Sequence, residues 1–415
     1  MQTLRNKRGQ YGRFPALVGL AVVSCGLAHP QIVIERSAND GVIRLFQTDW
    51  ATLELQEQRQ DLPCTVTPVK PVLGFDLRLH AGYDVAVPLK DLAGPGGVLT
   101  VVFRVTAENG KDGPAYFTQH FKMPSIEEDA SGEAYLNGIF DIGEGKYHVD
   151  WLMRDRAEHV CSFYWDLTPQ LSERDREVGL ALAPGRVEGS DPELFAEEPP
   201  VERAQGEPPL NVKVLVNFAP QKAGSAILQP LDVKTLVSIL RGIAREPRIG
   251  KFSLVAFNLQ EQRVIFRQNE TSRIDFPALG EALDKLNLGT VDIRQLSQKH
   301  GETQFLGDLI RREAGGEGQP DALVFAGPKA FLDQNVPAEQ LKEVGPVDYP
   351  VFYMNYNLNP QVGTWRDTIG NVVRFFRGTE YTITRPRDLW FAVGEMVTRV
   401  VKWKGERQRA AAAGR

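Results

Sequence analysis

Asn211-Val-Lys-Val-Leu-Val-Asn-Phe-Ala-Pro220 is an apolar, β-branched run set between a proline-rich acidic stretch and an amphipathic segment. It reads as a buried strand. Beyond it Val233, Leu236, Val237, Leu240 and Ile243 recur at helical spacing behind Asp232, a residue type that caps helices. A buried strand followed by such a helix is the unit of an α/β sheet. The loop after a strand of this kind is where such sheets place their chemistry, and here it holds Asn217, Phe218, Ala219, Pro220 and Gln221. None of these is a nucleophile or a carboxylate, so the stretch decides a fold without naming a reaction.

The pattern continues to the C-terminus. Strands are expected at residues 252–257 and 321–326, at 351–355 and at 380–384, with 263–267 as a hairpin partner at the sheet edge. Helices are expected at 232–246, 277–286, 303–312 and 365–376, and a last one opens at Pro386 and carries Leu389, Trp390, Val393, Met396, Val397 and Val400. This alternation implies a doubly wound, mainly parallel sheet over residues 211–404, covered on both faces. The Arg- and Ala-rich tail, 405–415, reads as frayed. Gly315-Gly-Glu-Gly318 follows a helix rather than a strand, which makes it a helix end and not a nucleotide-binding loop.

Upstream, residues 29–183 show short alternating runs split by turn residues, the pattern of an all-β sandwich. The clearest strands are 41–49, 74–80, 83–89, 98–106, 115–123, 147–153 and 159–167. Gly145-Lys-Tyr-His-Val-Asp-Trp151 resembles the corner of an immunoglobulin-like sandwich, where a tyrosine bonds back across the preceding turn. Tyr147, Trp151, Phe163 and Trp165 at period two read as core and cross-strand packing rather than a ligand face. Residues 184–210 combine six prolines with seven acidic side chains and few apolar ones, the composition of an extended, solvated linker. The fold class is therefore multidomain α+β.

The first 28 residues have the shape of an export signal: Arg5, Lys7, Arg8 and Arg13, an apolar run, then Gly26-Leu-Ala28 before the cut. Val22-Val-Ser-Cys25 also resembles a lipobox, so lipidation at Cys25 stands beside ordinary cleavage. The formal net charge is −5, and removal of the leader makes the mature chain four charges more acidic. An acidic exported chain excludes electrostatic capture of nucleic acid, and leaves membrane attachment to Cys25 alone. Cys64 and Cys161 are then the remaining cysteines. Export and an even pair imply one disulfide; two unpaired buried thiols are the alternative.

The order of the central strand at 212–216, the 252–257 and 263–267 pair, Gly301-Glu-Thr303 before a helix, and Leu323-Val-Phe-Ala-Gly327 resembles a von Willebrand factor A (VWFA) domain. The whole chain is similar to secreted bacterial VWFA-related proteins. Metal-binding members of that family use an Asp-x-Ser-x-Ser loop, a later Thr and a further Asp to hold a divalent cation with hard oxygen ligands. The corresponding residues here are Asn217, Ala219, Gln221, Thr303 and Ala326. The resemblance thus implies a degenerate site with no metal and no other cofactor, with Ser225 as the nearest further hydroxyl.

The expectation is an exported, non-enzymatic binding, adhesion or scaffold protein, periplasmic or extracellular, that meets a protein partner at the strand ends. Phe218, Phe331 and Tyr356 are the candidate apolar anchors there, Lys329 the candidate charge contact, and Gln221, Ser225 and Thr303 the candidate polar contacts. A partner surface on the sandwich or on the last helix is the competing placement. No catalytic residue is assigned. A hydrolase or transferase would have to draw on His300, Glu302, Thr303 and Ser225, while His80, His120, His148 and His159 lie in strand context without a catalytic motif. A structural envelope lipoprotein anchored at Cys25 is the third reading.

Overall fold

The computed structural model describes residues 32–34, 46–110, 113–190, 194–204, 208–220, 228–285, 300–315, 319–357 and 367–413. The first half contains β1 (Ile32–Ile34), β2 (Thr65–Leu73), β3 (Leu79–Pro88), β4 (Gly97–Ala107), β5 (Ala115–Met123), β6 (Glu133–Ile142), β7 (Tyr147–Arg154), β8 (Val160–Leu167) and β9 (Val187–Gly189). They form two antiparallel sheets, ordered β1-β5-β4-β7-β8 and β2-β3-β6-β9. Alternate side chains of both sheets meet in one core, where Phe103 stacks on Phe117 at 4.7 Å and Tyr83 edges onto Trp151 at 5.3 Å. Tyr147 and Trp151 lie in that core as expected. The Tyr147 hydroxyl donates to Gly143 O at 2.9 Å, closing the corner over the preceding turn. Cys64, just before β2, is joined to Cys161 on β8 by a disulfide, with Cα atoms 6.3 Å apart, so the bridge ties the two sheets together.

Several expectations change in this half. The strand expected at 41–49 falls partly outside the described residues, and its end belongs to α1 (Gln47–Leu55). Asp49, Thr52 and Leu53, at i, i+3 and i+4, are the buried face of α1, and Arg154 and Arg104 pair with Asp49 and Glu54. Residues 74–78 form the turn between β2 and β3 rather than a strand; Gly74 and Arg78 close it by a backbone bond of 2.8 Å. β1, β2, β6 and β9 were not legible. β2 carries Pro68 and Pro71, which only a sheet edge tolerates. β6 contains Asn137-Gly138, which has turn chemistry, but Gly138 is there because a Cβ would stand 2.5 Å from the Tyr83 ring.

The described residues of 184–210 do not form the expected solvated linker. β9 adds to β6, and Phe195 packs so closely on Gly280 that a Cβ at 280 would stand 2.8 Å from the ring. Glu198 is 9% exposed and pairs with Arg241 at 2.9 Å and, through both oxygens, with Arg245 at 2.7 and 3.0 Å. The composition reads as solvated because it counts carboxylates without knowing that two guanidinium groups wait for one of them.

The second half runs β10 (Leu210–Asn217), α2 (Pro230–Ala244), β11 (Ile249–Asn258), β12 (Arg263–Thr271), α3 (Phe276–Asp284), α4 (Gly301–Ala314), β13 (Ala322–Pro328), α5 (Ala338–Lys342), β14 (Val351–Tyr356), α6 (Thr368–Phe375), β15 (Thr379–Ile383) and α7 (Pro386–Ala413). Its sheet has the order β12-β11-β10-β13-β14-β15, parallel throughout except for the β12 edge. The opening stretch is thus a central strand. Val212, Val214 and Val216 face α2, α3 and α7, while Leu215 faces α4 and α6, as strand alternation requires. Asp232 sits inside α2 and closes a capping box with Gln229 instead of starting the helix. α7 passes Gly405 and stays helical to Ala413. Its Lys404 bonds Asp321 at 2.7 Å and Pro209 O at 3.1 Å, where β10 and β13 begin. Among the described residues no helix is long and apolar enough to cross a membrane. The described residues form a mixed α and β protein with three β-sheets.

Candidate functional site

The parallel strands β10, β13, β14 and β15 end together, and the residues chosen from the sequence divide there. Phe218 and Tyr356 are fully buried in the core that includes α2, α3 and α7, so they are not surface anchors. Apolar rings in β-branched surroundings lose water more readily than they present themselves to a partner. Thr303 is 6% exposed, and its hydroxyl donates to Gln334 O at 3.1 Å, fixing the segment after β13. Lys329 is half-buried with its ammonium 4.0 Å from Glu380. Phe331 is 52% exposed and is the apolar side chain of the set that stands at the surface. Gln221 and Ser225 lie outside the described residues.

Asn217 is 1% exposed and internally engaged: its Oδ1 accepts from Leu259 N at 3.1 Å. Asn258 donates from Nδ2 to Phe218 O at 2.7 Å, so the two asparagines hold the loops after β10 and β11 to each other. Gly327, with φ 155°, passes beside Asn217, where a Cβ would stand 2.9 Å from the asparagine Cβ. Ala326 is buried. Among the described residues no group of three His, Cys, Asp or Glu side chains is placed to hold a metal ion. The arrangement is a hydrogen-bonded seam built of amides, not a set of charged oxygen donors.

Asp367 organises the other side of this edge, and the sequence reading missed it. Its Oδ1 accepts from Gly370 N at 2.8 Å, capping α6, and its Oδ2 accepts from Ala330 N and the Tyr353 hydroxyl, both at 2.8 Å. Burial raises its carboxyl above the ordinary range, and the three donors pull the other way without cancelling the rise. The signal in the sequence was Asp367-Thr-Ile-Gly370 ahead of the apolar Val372 and Val373, a helix-start pattern. By holding Ala330, Asp367 positions its neighbour Phe331. Burial, then Asp232, pushes the Tyr356 hydroxyl far above its ordinary value, so it is a neutral donor. His300 is the exposed first cap of α4 in the left-handed region, φ 68°. Glu302 behind it is raised by burial and then by Asp333.

A concavity lies away from the strand ends. The β2–β3 turn, with Phe75, Asp76 and Leu77, faces α2 and α7 across a cleft of about 680 Å³. The turn is held by His80, whose ring nitrogens meet Asp141 at 2.7 Å and Asp76 at 3.0 Å. Burial pulls the His80 pKa down, but the two carboxylates outweigh it and hold it up at about 9. Gly74 has no room for a side chain here, because a Cβ would stand 2.2 Å from His80 Nε2.

No family model matches this chain, and no curated protein matches it. Among solved structures it is similar to an aspartate-to-alanine mutant of the PilB minor pilin from Streptococcus sanguinis, at 9% identity over 72% of this chain and 88% of that one, with a TM-score of 0.29. The PilB minor pilin from the same organism gives 8% identity over 72% and 87%, with a TM-score of 0.26. A β-glucosidase from Listeria innocua in complex with glucose gives 8% identity over 26% and 16%, with a TM-score of 0.16. At these scores none of them assigns a fold or a function.

Proposed function

We propose that this chain is an exported, non-enzymatic protein-binding or scaffold protein, pairing an immunoglobulin-like sandwich with a metal-independent VWFA-like domain. The central β10, the β11–β12 pair with its antiparallel edge, α4 with Gly301-Glu-Thr303 as its first turn and the adjacent β13 support the VWFA reading. The Tyr147 corner and the disulfide across two sheets support the other half and an oxidising compartment. The observation that carries the proposal is the engagement of Asn217 with Leu259 N at the position where the family's metal site begins. An amide already bonded inside the fold does not strip a divalent cation of its water. Binding then rests on ordinary surface contacts, with Phe331 as the anchor and Lys329 beside it.

The test is capture of envelope proteins by the purified mature chain, with and without EDTA, beside a Phe331→Ala variant. The expected result is a partner retained equally in EDTA and reduced by about tenfold in the variant, in line with loss of an aromatic anchor. Capture that vanishes in EDTA and returns with Mg²⁺ defeats the metal-independent reading.

A further inference from the structure

The cleft between the β2–β3 turn and helices α2 and α7 has the properties of a ligand site. Its volume, about 680 Å³, lies within the range of roughly 300–1,000 Å³ typical of small-molecule pockets, and it sits where two folding units meet. The apolar walls come from both sides: Phe75 and Leu77 from the turn, Trp390 and Phe391 from α7. Trp390 and Phe391 stand edge to face with centroids 4.9 Å apart, and Phe391 is 37% exposed.

Two glycines keep the helices bare where they line this space. Gly242 lies within α2 and Gly394 within α7. A Cβ at Gly394 would meet nothing within 4 Å, and one at Gly242 would make ordinary contact with Val393 at 3.5 Å. Packing therefore requires neither glycine, although each costs about 1 kcal/mol relative to alanine in a helix interior. What they preserve is room.

The charges of the lining are already answered. Asp76 is paired with His80, Arg241 and Arg245 with Glu198, Arg248 with Glu246, and Arg399 with Glu395. A charged ligand would compete with these pairs, in which the one Glu198 carboxylate already serves two guanidinium groups. The Thr398 hydroxyl is turned back onto Gly394 O at 2.8 Å, which leaves few neutral groups to replace the hydration of a sugar. We propose that this cleft binds an uncharged aromatic ligand, stacked against Trp390 and Phe391 and covered by Phe75. The site is separate from the strand-end surface and does not rest on the VWFA reading.

The test is fluorescence titration of the mature chain with N-phenyl-1-naphthylamine, a neutral aromatic probe, beside 1-anilinonaphthalene-8-sulfonate, which adds an anionic group to the same rings. Saturable binding of the neutral probe, tighter than that of the anion, is expected. Gly394→Leu fills the open space and improves helix propensity, so it should melt no lower than the parent while weakening the probe by about tenfold or more, the scale of lost ring contacts. Phe391→Ala, at an exposed position, should weaken it similarly, and Phe331→Ala should leave it unchanged. Absence of saturable binding, preference for the anion, or full affinity in Phe391→Ala and in a folded Gly394→Leu overturns the proposal.

Discussion

His80 is held between Asp141 and Asp76, and its pKa of about 9 lies above the ordinary 6.5. A group raised in the folded state contributes stability that is fully present below its unfolded pKa and is lost as pH rises through the folded one. Stability should therefore fall between pH 6.5 and about 9, by about 3 kcal/mol from this residue. Chemical denaturation across that interval checks it; His80→Gln should remove most of the slope, and an unchanged slope would refute the assignment. Asn217 gives a second residue-scale outcome. Asn217→Ala leaves Leu259 N buried without its acceptor and should cost about 1–3 kcal/mol in the same assay. The identity of Asn217, and the poverty of its loop in acidic ligands, was legible in the sequence. Its bond to a backbone 42 residues away was not, because nothing local encodes which distant N–H a buried amide will satisfy.

Among elements, the segment 194–204 is the clearest case of structure outweighing composition. Glu198→Gln removes the charge that Arg241 and Arg245 share and should cost about 2 kcal/mol, discounted from the fully buried case because Arg245 is partly exposed. Its signature is an earlier unfolding midpoint together with faster proteolysis of 199–204; neither change occurring would mean the strap is held by Phe195 and by the bonds of Arg203 and of the Leu194 and Ala196 carbonyls, without the Glu198 charge. The α6 cap offers a parallel outcome. Asp367→Ala frees three donors, including Ala330 N, and should destabilise by about 2 kcal/mol and weaken any partner that uses Phe331. Elements with strong periodicity, such as β5, β10 and the start of α7, were legible because their pattern alone selects a buried face. Those governed by exceptions were not. β2 tolerates proline only because it is an edge, and α1 shows its three-residue buried face only once Arg104 and Arg154 are there to receive its acids.

At the scale of the molecule, the disulfide closes a separation of 97 residues across the two sheets of the first half. The chain-entropy estimate for a loop of this size is about 4–5 kcal/mol, so reductant should lower the unfolding transition of the sandwich markedly. Near-ultraviolet circular dichroism, which reports the Tyr83–Trp151 core, is the measurement; an unshifted transition would show that the bridge is not what closes the two sheets. The change from antiparallel sheets to a mainly parallel one was legible from the change of period near residue 210. The contact between the parts was not, since Phe75, Glu198 and Trp390 come from three distant segments.

The Lys404 contact bears on how the second half would carry load. The second half receives the chain at Pro209 and releases it along α7, and Lys404 joins these two points through Asp321 and Pro209 O. A pull between residue 209 and the far end of α7 is therefore taken up by this clamp and by the flank of α7, before tension reaches the ladder bonds between β10 and its neighbours. The six-stranded sheet hangs beside the line of force instead of lying within it.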